Sequence, residues 1–266
     1  MKVFALMSPR PVEVQRDDSL DDAILLMDRL DLRHLPVVDS SGLVGVISDS
    51  DLLDATGWLP RRERKLTSPG TVGDFMRSPP ICVEHDFRLE HALGLMVERR
   101  MSSLPVMDGA SLVGMLTEVN ILRGYVAACQ AGRIGLEDDS PVHEHMRPVR
   151  VTLPHDASCE DAVEAMRAHG LRRLPVVSGG ELVGTLSDRD IRGYRGQERL
   201  GRMPVCEMMH SDPETAEPDG GLSRAAFAMG MRGISSLPVV SRTRLVGILS
   251  LVDVMISSAL ILMKYE

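Results

Sequence analysis

A chain that states one phrase four times at fixed spacing is constrained to fold as four copies of a small unit. The phrase "LRHLPVVDSSGLVGVISDSDLL" occupies Leu32–Leu53, and it returns as "MSSLPVMDGASLVGMLTEVNIL" from Met101, "LRRLPVVSGGELVGTLSDRDIR" from Leu171 and "ISSLPVVSRTRLVGILSLVDVM" from Ile234. Met7, Met76, Met146 and Met209 each precede Leu35, Leu104, Leu174 and Leu237 by 28 residues. Eight positions further on stands the "LVG" that opens at Leu43, Leu112, Leu182 and Leu245. The register holds without gaps across a whole folding unit.

Each unit reads as strand, helix, strand, strand, helix. "PVEVQ" and "PICVE" alternate as half-buried strands do. Asp17, Asp86, Asp156 and Asp219 stand just before a helical stretch, where a short acceptor can satisfy free backbone N–H groups. In the first unit Leu20, Ala23, Ile24 and Met27 make one apolar helix face. "LPVV" and "LVGVIS" are β-rich runs joined by "DSSG", which predicts a hairpin, and a second helix starts near "SDSDLL". A unit of roughly 50 residues is near the lower limit for a self-sufficient core, so units are expected to pair. Gly45, Gly114, Gly184 and Gly247 each fall inside the third strand. Such a glycine marks close approach to the backbone, either by the neighbouring unit or by a ligand.

The 266 residues are 44% hydrophobic and 26% charged, a composition able to bury a core, with 17 Met and only 3% aromatic residues. Few rings and a net charge of −8 argue against nucleic acid as a partner. Cys82, Cys129, Cys159 and Cys206 show no CxxC spacing, which suits a reduced, cytoplasmic chain. The opening "MKVFALMSPRPVEV" has too short an apolar run for a signal peptide. The tail "LVDVMISSALILMKYE" is interrupted by Asp253, Ser257 and Ser258, so a buried terminal helix is expected and a membrane span is not. Arg61, Arg62, Arg64 and Lys65 between the first two units read as a solvated loop.

These residues resemble the cystathionine-β-synthase (CBS) domain, whose signature combines an "LPVV" strand, an "LVGxxS" strand and a following "SxxD". The resemblance implies an α+β fold of four CBS-type β-α-β-β-α units, paired into two tandem CBS modules forming a flat disc. That arrangement is similar to the γ regulatory subunit of AMP-activated protein kinase. The four domains are expected at 1–58, 70–128, 140–196 and 203–266, the last with the C-terminal helix.

CBS pairs commonly bind adenosine-containing ligands between units, and the resemblance carries specific positions over. The ribose-recognising pairs are Ser48 with Asp51, Thr117 with Asn120, Ser187 with Asp190, and Ser250 with Asp253. A carboxylate accepts from two vicinal hydroxyls at once, whereas Asn120 offers a single acceptor oxygen. Spacing alone also fits a helix-capping box, and the two roles can coexist. Before "LPVV", Arg33 and His34 in the first unit and Arg172 and Arg173 in the third occupy positions that face ligand phosphates in the family. The second and fourth units carry Ser102, Ser103, Ser235 and Ser236 there. At the usual Thr position of the adenine end, Thr152 and Thr215 match while Glu13 and Cys82 depart, and Glu214 is a carboxylate unsuited to a nearby phosphate. Thr152, Arg172, Arg173, Ser187, Arg189 and Asp190 make the third unit the best equipped.

His143, Glu144 and His145 form a His-x-His run that reads as surface more readily than as a metal site. No nucleophile arrangement or phosphate loop has motif support, so no enzyme activity is expected. The expected function is regulatory, with no required cofactor. AMP, ADP or ATP would act as ligand and the signal would pass through a surface to an unknown protein partner, with homodimerisation open. The alternatives are a ligand-free scaffold and a module for S-adenosylmethionine.

Overall fold

The computed structural model describes residues 1–56, 70–132, 139–194 and 199–264. The basic cluster at Arg61, Arg62, Arg64 and Lys65 lies outside the described residues. The first repeat runs from a short turn of helix at Val3–Ala5 through β1 (Ser8–Pro9), β2 (Val14–Gln15), α1 (Leu20–Leu30), β3 (His34–Asp39) and β4 (Gly42–Ser48) to α2 (Asp49–Thr56). The second comprises α3 (Val72–Phe75), β5 (Val83–Glu84), α4 (Leu89–Glu98), β6 (Ser103–Asp108), β7 (Ser111–Thr117) and α5 (Glu118–Gln130). The third has β8 (Leu153–Pro154), α6 (Cys159–His169), β9 (Arg173–Ser178), β10 (Glu181–Ser187) and α7 (Asp188–Gly193). The fourth has α8 (Leu222–Arg232), β11 (Ser236–Ser241), β12 (Arg244–Ser250) and α9 (Leu251–Lys264). Its first strand is reduced to one parallel bridge, Ala216 with Val239.

The described residues form two compact units. One holds 1–56, 70–132 and 255–264, and the other holds 139–194 and 199–254. The first thus contains repeats one and two together with α9 from Met255 onward, and the second contains repeat three and the part of repeat four that ends at Val254.

Within a repeat the first strand pairs in parallel with the second across a helical crossover, as Val14 does with Val37, Val83 with Val106 and Leu153 with Val176. The second and third strands make the antiparallel hairpin that "DSSG" predicts. The register slips by one residue at the valine of each "LVG": Val44, Val113, Val183 and Val246 are the extra residues of four equivalent bulges. Below the sheet, Leu20, Ala23 and Met27 are buried against Leu35, Val37 and Ile47, while Ile24 packs at the margin. Leu153, Cys159, Met166, Leu174 and Leu186 repeat this core in the third unit. Desolvation raises the Cys159 thiol to about 11, leaving it inert, and all four cysteines carry free thiols.

The expected helix caps at Asp17, Asp86, Asp156 and Asp219 are displaced by two residues. The helices start from Ser19, Arg88, Ser158 and Gly221, and the hydroxyls of Ser19 and Ser158 accept from the backbone N–H of Asp22 and Asp161. The aspartates lie instead in the turn before the cap.

The glycine after each bulge is occupied by the neighbouring repeat. A Cβ on Gly45 would stand 2.5 Å from Met76 Sδ, and one on Gly114 would stand 2.5 Å from Met7 Sδ. Gly184 meets Met209 and Gly247 meets Met146 in the same way, each at 2.6 Å. The lead-in segment of one repeat therefore lies against the third strand of its partner, reciprocally in each pair. Backbone bonds fix the register: Arg77 and Val46 exchange N–H···O bonds of 2.9 and 3.1 Å, and His210 and Thr185 exchange bonds of 2.8 and 3.0 Å. Of the two readings of the strand glycines, close packing by the neighbouring unit is what the structure shows.

Behind each third strand, the first residue of the second helix donates its N–H to the residue before "LPVV" minus one. Asp49 donates to Arg33, Glu118 to Ser102, Asp188 to Arg172 and Leu251 to Ser235. Burial pushes the Glu118 carboxyl up to about 7, with Arg33 opposing the shift. The apolar tail is continuous with this last helix: α9 buries Val254, Met255, Ser258, Ala259, Ile261 and Leu262. No helix among the described residues is long and apolar enough to cross a membrane.

Two stability tests follow from this packing. Gly184→Ala should destabilise the protein by about 1–3 kcal/mol, because the new methyl would stand 2.8 Å from the backbone oxygen of His210 as well as against Met209; chemical denaturation measures it. Glu118 has a folded pKa above its unfolded value, so its neutral form is favoured in the native state and stability is lost as pH rises from about 4.5 through about 7. Glu118→Gln should abolish that part of the decline. Its stability relative to wild type should improve by roughly 2 kcal/mol between pH 5 and pH 8 in thermal melts.

Candidate functional site

The sheet topology brings the sequence-predicted residues of each repeat to one end of its strands. In the third repeat Thr152 immediately precedes β8, Arg173 opens β9 and Ser187 closes β10, and because β8 and β9 are parallel and β10 antiparallel, all three lie at the same edge. Arg173 and Ser187 are directly paired across the sheet. The same register sets His34 against Ser48, Ser103 against Thr117 and Ser236 against Ser250. Thr152 and Thr215 are exposed, whereas Ser48 and Ser187 are buried.

Every Ser/Thr-x-x-Asp/Asn pair forms a cap at the start of its helix. Ser48 donates to Asp51 Oδ2 from its backbone N–H at 2.9 Å and from its hydroxyl at 2.5 Å. Ser187 does the same to Asp190 Oδ2 at 2.7 and 2.6 Å, and Thr117 to Asn120 Oδ1 at 2.9 and 2.7 Å. Ser250 donates its hydroxyl to Asp253 Oδ2 and accepts from the Asp253 N–H at 3.3 Å. The cap thus occupies one side-chain oxygen and leaves the other terminal atom, a carboxylate oxygen in the three aspartates and the amide nitrogen in Asn120, for other partners.

What the outward atom meets differs between repeats. Asp51 Oδ1 accepts from Arg77 Nε at 3.1 Å, and Asp253 Oδ1 accepts from Arg147 Nε and Nη2 at 3.2 and 2.5 Å. The bond to Asp253 holds the Arg147 guanidinium above its ordinary pKa. Asn120 donates its amide to Ser8 Oγ at 2.9 Å. The hydrogen bonds of Asp190 among the described residues all go to Ser187, which leaves Oδ1 without a hydrogen-bond partner there.

The basic positions also differ. His34 Nε2 shares a 2.8 Å hydrogen bond with Ser102 Oγ, joining the two halves of the first pair. In the second pair Arg173 is largely buried, and desolvation holds its guanidinium below the ordinary value against the attraction of Asp190 and Asp188, with Arg189 adding repulsion. Its Nε is buried without a hydrogen-bond partner among the described residues. Arg172 lies 4.0 Å from the carboxylate of Asp188. Glu214 is ion-paired with Arg232 at 2.5 Å. In the His-x-His run, His143 is bonded to the carbonyl of Pro218 at 3.1 Å and His145 to the hydroxyl of Ser140 at 2.7 Å.

The residues missed by sequence reasoning are those that follow the aligned methionines: Ser8, Arg77, Arg147 and His210. The signal was present in the gapless register. Their relevance appears only once the methionine is seen to seat on the partner's glycine, which brings Ser8, Arg77 and Arg147 to Asn120, Asp51 and Asp253 of the partner repeat, while His210 makes no such bond to Asp190.

The CBS domain family profile matches residues 3–57, 72–127, 142–196 and 205–259. Protein MJ1225 of Methanocaldococcus jannaschii is 24% identical over 270 residues, covering 92% of this chain and 94% of its own. Its crystal structure has a TM-score of 0.81 at 22% identity, covering 96% of this chain and 99% of that one. A 33.4 kDa protein of Thermofilum pendens is 27% identical over 259 residues, covering 88% of this chain and 83% of its own. With four matched segments spanning most of its length, the chain belongs to the CBS domain family and carries its domains as two tandem pairs.

Proposed function

We propose that the protein is a regulatory sensor of an adenine nucleotide, AMP, ADP or ATP, with its best-formed site at the third repeat. The observation that carries this reading is the state of Asp190. A carboxylate has about four acceptor positions; the cap fills two on Oδ2, and the two on Oδ1 match the two vicinal hydroxyls of a ribose. Beside it, across the strand pair, Arg173 holds a buried cation with an unsatisfied N–H, a demand that an anionic oxygen meets. Arg172 and Arg189 add positive charge to that edge, and exposed Thr152 stands at the adenine end.

A ligand held between the repeats of a pair stabilises whichever arrangement of their lead-in segments it fits best, and its differential affinity is what a protein partner would read. The first-pair residues Arg33, His34, Ser48 and Asp51, and Thr117 with Asn120, form less complete versions of the site. Thr215, Ser250 and Asp253 do so in the fourth repeat.

Competition isotherms with AMP, ATP and S-adenosylmethionine test the reading directly. Nucleotide should bind and S-adenosylmethionine should compete weakly, since its sulfonium places positive charge near Arg173. Preference for S-adenosylmethionine, or no binding of any ligand at millimolar concentration, would overturn it. Asp190→Asn keeps the cap, as Asn120 does naturally, but turns a donor toward the ribose. It should weaken nucleotide binding by about tenfold or more while the melting temperature stays near wild type. Unchanged affinity would show that the ribose lies elsewhere.

A further inference from the structure

We propose that Arg77 and Arg147 are built-in occupants of the ribose-recognising carboxylates of their partner repeats, so that Asp51 and Asp253 are masked while Asp190 is presented open. This rests on the nucleotide reading above and adds which positions set the readiness of each site. Counting acceptor positions gives the ranking. Asp51 has two filled by Ser48 and one by Arg77, leaving one for a diol that needs two. Asp253 has both positions of Oδ1 filled by Arg147 and Oδ2 bonded to Ser250. Asn120 has its only acceptor oxygen filled by Thr117. Among the described residues, Asp190 is the one of these four that retains a pair.

The masking groups are placed by backbone geometry. Arg77 and Arg147 each directly follow the methionine seated on the partner's glycine, and their own N–H and C=O pair with Val46 and Ile248. Each side chain is mostly exposed, at 72% for Arg77 and 66% for Arg147, while the carboxylates they cover are only 12% and 11% exposed. Such an arginine can swing into solvent and release the carboxylate, so masking is reversible and its strength is that of a one-sided ion pair. His210, which follows Met209 in the fourth repeat, stands at the equivalent place against the third, paired with Thr185 through its backbone, and is exposed without a hydrogen bond to Asp190.

Adenosine and AMP, titrated separately by calorimetry, distinguish masking from phosphate contact. Arg77→Ala and Arg147→Ala should each tighten adenosine binding at the uncovered site by about three- to tenfold, or add a measurable equivalent per chain. Adding Asp253→Asn to Arg147→Ala should erase that gain. His210→Arg should install a mask at Asp190 and weaken the wild-type site by a similar factor. Unchanged adenosine binding in both arginine variants overturns the proposal, as does loss of AMP binding with adenosine untouched, which would make these arginines phosphate ligands. If wild type binds neither probe but the arginine variants do, masking stands and the Asp190 reading falls. Should none of the proteins bind either probe, both fall.

Discussion

The seating of a methionine on a bare glycine, made reciprocally within each pair, is the contact on which the rest depends. A repeat of about 50 residues buries too little surface to stand alone, and the contact supplies what it lacks. The flexible thioether fills the space a Cβ would take, and flanking backbone bonds turn a soft hydrophobic contact into a fixed register. The bulge at the preceding valine serves the same end, since the extra residue re-aims the strand just where the partner approaches. The placement of Ser8, Arg77, Arg147 and His210 follows from that register.

Much of the fold was legible in the sequence because its determinants are local and repeated. The apolar spacing of Leu20, Ala23 and Met27, the hairpin at "DSSG" and the pairing of units all correspond to features of the structure. The helix caps were misplaced by two residues, since Asp17 and Ser19 are both competent acceptors and only the backbone path decides between them. Of the two readings of the glycines, the sequence could not choose. What approaches a backbone closely is a long-range fact, and Met76 lies 31 residues from Gly45.

The candidate site was legible to a different depth. Residue types at Ser187, Asp190 and Arg173 pointed to their chemistry, and strand register places them at one edge. Capping, weighed against ligand recognition as a rival use of the same serine and aspartate, occupies only one oxygen of the Asp190 carboxylate, so the two uses do not compete for the same atom. The inequality of the four repeats was visible in the alternation of basic and serine residues. Its second source, at the position after each methionine, was not, because only tertiary pairing makes a neighbour of Arg147 and Asp253 across 106 residues.

The bulge-and-glycine lock also separates two demands that usually conflict. Packing is settled by Met76 on Gly45 and by the backbone bonds on either side, none of which requires a particular side chain at the next position. That next residue is free to vary, and across the four repeats it is Ser, Arg, Arg and His. A chain of four like repeats can therefore diversify its copies one codon at a time, leaving the shared architecture untouched while the side chain set against each partner's Asp or Asn changes.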